Sequence, residues 1–177
     1  MGVSHVTIRT YLDILTDLYM VRQIPAWAGN TKKRLVKSPK IYLRDTGLLH
    51  RLLNIPDLET LLGHPSIGAS WEGFIIENII ITLSDKWQYS YYRTTAQAEI
   101  DLILEGPKEE VWAIEIKRAS APKITKGFHS GCRDIKATKK YVIYSGSERF
   151  SIAENTEVMG ITEFFQLLKQ ESVLLTY

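Results

Sequence analysis

Apolar residues recur along this chain with two spacings, and the switches between them mark out its elements. Ile8, Leu12, Leu15 and Tyr19 fall three or four apart, the spacing of one helix face, so the chain up to about Met20 reads as an amphipathic helix. Val21-Arg22-Gln23-Ile24-Pro25 then reads as a strand, with Pro39-Lys40-Ile41-Tyr42-Leu43-Arg44 as its return. Two short helices are expected at Thr46–Leu53, closed before Pro56, and at Leu58–Leu62. His64-Pro65-Ser66-Ile67-Gly68 reads as a turn and as the boundary between two units, 1–64 and 65–177. Beyond it, Glu72, Ile75, Ile76, Ile79 and Leu83 share one stripe at helical spacing.

The second half then changes period. Trp87–Thr94 alternates, with Trp87, Tyr89 and Tyr91 on one face, the usual sign of packing. In Ala98–Leu104 the residues Glu99, Asp101 and Ile103 are expected on one face and Ile100, Leu102 and Leu104 on the other. In Val111–Lys117 the faces are Val111, Ala113, Glu115 and Lys117 against Trp112, Ile114 and Ile116. The linker Glu105–Glu110 holds the Gly and Pro of a turn and predicts an antiparallel hairpin. Arg118 opens a basic loop that runs through Phe128. Strands follow at 139–145, 150–152 and 157–159, and a last helix at 161–168. The class is α/β.

The breaks in apolarity carry the chemistry. A hairpin symmetric about Lys108 sets Asp101 across from Glu115, and like charges opposed in a sheet repel. A divalent cation is the natural compensation. Mg²⁺ or Mn²⁺ prefers carboxylate and carbonyl oxygen, and such an ion polarises a phosphodiester and acidifies water. Glu72 is a carboxylate on a core-facing stripe and needs a partner of its own.

Asp101 with Glu115-Ile116-Lys117 resembles the motif of the PD-(D/E)xK nuclease superfamily. The resemblance implies catalytic roles for Asp101, Glu115, Lys117 and Glu72. It implies metal ligation by Asp101, Glu115 and the carbonyl of Ile116, with Glu99 as a further ligand or neighbour. Lys117 would orient water or steady developing charge. A solvated charged edge is the competing reading of the same residues.

Composition narrows the picture little. The net charge of +2 is too small to demand a polyanion partner unless the charge clusters. Clusters exist at Lys32, Lys33, Arg34 and Lys37, and again at Lys123 and Lys126, with Arg93 at a strand end. These are the candidate nucleic-acid contacts, although Arg93 suits a site carboxylate equally well. The single Cys132 excludes an internal disulfide and fits a reducing, cytoplasmic setting. The four histidines lack metal-ligand spacing. No apolar run is long enough for a membrane span, and no phosphate-binding Gly-rich loop with Lys-Ser/Thr occurs.

A helix followed by a hairpin with a basic tip resembles the second half of a winged helix-turn-helix, so a partial winged-helix unit is expected before a nuclease-like mixed-sheet core flanked by helices. The order of Lys37-Ser38-Pro39-Lys40, Asp45-Thr46-Gly47-Leu48, Trp71-Glu72, Tyr92-Arg93, Glu99-Ile100-Asp101 and Glu115-Ile116-Lys117 resembles the C-terminal region of bacterial and archaeal AAA-type ATPases. That resemblance implies a fragment of a longer protein with a P-loop ATPase domain N-terminal to it. Three functions stay open: a metal-dependent nuclease, an idle nucleic-acid-binding module, and a protein-interaction or homo-oligomerisation module.

Overall fold

The computed structural model describes residues 2–153 and 155–174. Helix α1 (His5–Asp17) leads into a two-stranded antiparallel sheet of β1 (Val21–Ile24) and β2 (Lys40–Leu43). Short helices α2 (Thr46–Leu52) and α3 (Leu58–Gly63) precede the long α4 (Ile67–Thr82). A mixed sheet of six strands follows: β3 (Gln88–Arg93), β4 (Glu99–Glu105), β5 (Val111–Lys117), β6 (Lys139–Tyr144), β7 (Phe150–Ala153) and β8 (Thr156–Gly160), in the order β3-β4-β5-β6-β8-β7. Helix α5 (Lys126–Asp134) connects β5 to the parallel β6, and α6 (Ile161–Leu174) follows β8.

Two cores sandwich the sheet. On one side Ile75, Ile76 and Ile79 of α4 and Phe164 of α6 meet Leu102, Leu104, Trp112, Ile114 and Ile143, all at most 1% exposed. Trp112 lies at its centre, with ring centroids 4.8 Å from Trp87 and 5.3 Å from Tyr141. On the other side Phe128, Cys132 and Ile135 pack on Tyr92, Ile100, Ile103 and Ala113. The α/β class is as expected, and β5 alternates as read: Trp112, Ile114 and Ile116 face α4, Ala113 faces α5.

β4 departs from the expected alternation. Leu102 and Leu104 join the α4 side, whereas Ile100 joins Ile103 on the α5 side. The cause is a bulge: Ser90 pairs with Ile103 and Tyr92 with Ile100, so three steps on β4 match two on β3. The extra residue falls at Asp101 and Leu102 and shifts the phase of the strand.

The N-terminal segment and the loop after β5 correct two further expectations. The apolar stripe of α1 enters no core: no α1 residue is buried, and Ile8, Leu15 and Tyr19 are 57%, 36% and 76% exposed. The segment 26–38 does not project as a wing. It runs along the edge of β3, with Trp27 N–H donating to Tyr91 O at 2.8 Å and Val36 N–H to Arg93 O at 2.9 Å. Lys126 lies in no loop, since it opens α5. Gly127 and Gly131 weaken the helical pattern there. Gly131 is needed for packing, because a Cβ at that position would stand 2.9 Å from Ile100 Cγ1. Ile24 of β1 is fully buried in the main core, so the hairpin is seated on the sheet domain. Among the described residues no helix is long and apolar enough to cross a membrane.

Candidate carboxylate and lysine site

Four elements converge at one end of the sheet. The β4–β5 register runs from Glu105↔Val111 to Leu102↔Ile114, and one further step sets Asp101 across from Glu115. The ladder stops there, and Asp101 Oδ2 instead accepts the Ile116 backbone N–H at 2.9 Å. Asp101 and Glu115 are 7% and 4% exposed. Lys117, two residues along β5, places Nζ 2.5 Å from Glu115 Oε1.

The compensating charge for Asp101 comes from β2. Lys40 Nζ donates to Glu72 Oε1 of α4 at 2.9 Å and to Asp101 Oδ1 at 3.3 Å, and stands 2.9 Å from Glu99 Oε1. Three carboxylates thus surround one ammonium, whose three N–H groups suit three acceptors. Tyr42, two residues along β2, donates its hydroxyl to Glu72 as well. Arg93 Nε lies 3.7 Å from the other oxygen of Glu99. The hairpin is held in place by Arg22 and Arg44, which both bind Glu77 of α4.

Burial and mutual repulsion shape the charges. Burial, then the neighbouring Glu72, pushes the Asp101 carboxyl up to about 6. Burial, then Asp101, pushes Glu115 up to about 7, against the pull of Lys117. Burial alone would lower the Lys40 ammonium, but the attraction of Asp101 and Glu72 outweighs it and holds the group above its ordinary range. Lys40 is therefore charged at neutral pH.

The donor set is chemically suited to a hard cation: carboxylate oxygens of Glu72, Glu99, Asp101 and Glu115. The point on which three of them converge is held by Lys40 Nζ. Among the described residues no group of three His, Cys, Asp or Glu side chains is arranged to hold a metal ion as it stands.

Asp101, Glu115, Lys117, Glu72 and Glu99 therefore meet at one end of the sheet. Sequence reasoning missed Lys40 and Tyr42. Their local signals were alternation on β2, two positions apart on one face, and the place of Lys40 in the Lys37-Ser38-Pro39-Lys40 segment. Of the basic candidates, Lys32, Arg34, Lys37, Arg93, Lys123 and Lys126 are exposed. Lys33 is committed to α5, donating to Ser130 Oγ at 2.8 Å and Asp134 Oδ2 at 2.7 Å.

The model of the family described as "Domain of unknown function (DUF4143)" matches residues 67–164. The chain belongs to that family. In this DUF4143 member the matched stretch holds Glu72, Glu99, Asp101, Glu115 and Lys117. Lys40 and Tyr42 come from residues 1–59, matched by a second model described as "Domain of unknown function (DUF8612)". The chain is similar to the uncharacterized proteins Rv2008c of Mycobacterium tuberculosis (strain ATCC 25618 / H37Rv) and Mb2031c of Mycobacterium bovis (strain ATCC BAA-935 / AF2122/97). Identity to each is 43% over 154 residues, 87% of this chain. The matched region is 34% of each relative's length.

Proposed function

We propose that this DUF4143 chain is a nuclease-like unit of the PD-(D/E)xK type that hydrolyses phosphodiesters of nucleic acid with Mg²⁺ or Mn²⁺, as the C-terminal region of an AAA-type ATPase. The observation that carries the reading is the convergence of Glu72, Glu99 and Asp101 oxygens on one cationic centre, with Glu115 and Lys117 on the adjoining strand end. The element order supports it: a Glu-bearing helix, three antiparallel strands, a helical crossover and a parallel strand. The hairpin, in this reading, is what remains of a winged-helix unit.

Asp101, Glu115, Glu99 and the Ile116 carbonyl would hold the ion, with Glu72 assisting. The bound ion would polarise the phosphate and acidify water. Lys117, on leaving Glu115, would steady negative charge on the phosphate. Arg93, Lys123 and Lys126 would meet backbone phosphates, as would Lys32, Arg34 and Lys37 on the β3 edge. The test is a nicking assay on supercoiled plasmid and on single strands with Mn²⁺. Cleavage by the wild type, lost in Asp101→Asn and in Lys117→Ala, supports the reading; equal cleavage by all three rejects the site.

A second reading is a catalytically idle module that binds nucleic acid. It is favoured by the ion pairs already made, Lys40 with three carboxylates and Lys117 with Glu115. Salt-dependent binding without cleavage would select it. The exposed apolar residues of α1 favour a third, protein-binding or self-associating role, read by concentration-dependent assembly without nucleic-acid binding.

A further inference from the structure

The geometry points to Lys40 as a built-in cation that competes with a divalent ion for Glu72, Glu99 and Asp101, so that a seated Lys40 and a bound metal exclude one another. This rests on the metal site proposed above and assigns a control to it from outside the DUF4143 stretch.

Three observations carry it. First, the ammonium sits at the point where the three carboxylates converge, at 2.9, 2.9 and 3.3 Å. A Mg²⁺ ion draws its oxygens to about 2.0–2.1 Å, so it would have to occupy that same space with the cage closed around it. Second, Lys40 belongs to a different element from any of the acids it neutralises. Tyr42 of its strand binds Glu72 of α4, and Arg44, just past the strand's end, binds Glu77. Third, the ammonium has a way out. The Lys40 side chain is 15% exposed, and a lysine stem is long and flexible enough to swing aside without unfolding the strand. Glu72, Glu99 and Asp101 would then be left with three negative charges against the exposed Arg93 beside Glu99 alone, a strong preference for a divalent ion.

Either the side chain or the hairpin moves when metal enters. Anything that draws β2 away from α4 raises metal affinity, and metal in turn loosens Lys40 from the cage.

The test is Mn²⁺ binding, read by the electron paramagnetic resonance signal of free Mn²⁺, for the wild type, Lys40→Met and Lys40→Met with Asp101→Asn. Lys40→Met should bind roughly tenfold tighter or better than the wild type, and the added Asp101→Asn should abolish the gain. If Lys40→Met does not fold, Lys40→Met with Glu72→Gln removes one charge of each sign and keeps Glu99, Asp101 and Glu115 for the same comparison. A second readout on the wild type is labelling of Lys40 by an amine-reactive ester, mapped by mass spectrometry, which should quicken when Mn²⁺ is added. Equal Mn²⁺ affinity with and without Lys40, lost in Asp101→Asn, would overturn the competition and leave the metal site standing. No binding by any folded variant would overturn both.

Discussion

Lys40 on β2 and Asp101 on β4, 61 positions apart in sequence, hold their charges 3.3 Å apart, Nζ to Oδ1. The contact joins the segment matched by one family model to the segment matched by the other, inside a cage that also takes in Glu72 and Glu99. Removing one partner of a largely buried pair leaves charge uncompensated, which costs more than the pair contributes. Lys40→Met should therefore lower unfolding free energy by about 3 kcal/mol. Adding Glu72→Gln should recover part of that loss, and urea denaturation of the two singles and the double measures the coupling.

The raised carboxyls make stability depend on pH with a definite sign. Asp101 and Glu115 bind protons in the folded chain more tightly than an unfolded chain does, at about 6 and about 7. Their contribution is complete below the ordinary carboxylate range near about 4 and is lost as pH rises through those values. Unfolding free energy should fall between about pH 4 and about pH 7, and Glu115→Gln should flatten that decline. A decline of unchanged steepness in Glu115→Gln would remove Glu115 as its source.

The hairpin's seat depends on Glu77, which accepts Arg44 Nε at 2.7 Å and two bonds from the Arg22 guanidinium. Glu77→Ala leaves two arginines half-buried without their anion. It should cost about 2 kcal/mol and speed amide exchange in β1 and β2 ahead of the six-stranded sheet. Exchange mass spectrometry would show whether the effect is confined there.

Cys132 lies 3% exposed in the α5-side core, and burial pushes its thiol up to about 12. A buried, protonated thiol is a poor nucleophile. Native protein should react with a thiol reagent only as fast as it unfolds, and a fast native reaction would mean that α5 lifts off the sheet.

Much of this was legible along the chain because it follows from local periods. The turn around Lys108 fixed the hairpin register, and Leu102 does pair with Ile114. The strict alternation of β5 gave both its faces. The bulge at Asp101 and Leu102 was not legible, since an extra residue in a run of apolar side chains leaves the composition unchanged. Helix α5 was hidden by Gly127 and Gly131, which lower helix propensity where close packing needs a missing side chain. The α1 stripe was visible, but a period tells only that a face is apolar, not what covers it. Lys40 was out of reach for a different reason: no local pattern on β2 reveals a carboxylate brought in from 61 residues away.

The proposed metal site is tested most directly by adding Mn²⁺ to ¹⁵N-labelled protein and recording which amide signals broaden. Broadening should begin at Asp101 and Ile116, spread to Glu72, Glu99 and Lys117, and vanish in Asp101→Asn. Broadening centred instead on outlying acids such as Glu157 and Glu163, which are bound to Arg149 on the far side of β6 from β5, would contradict it.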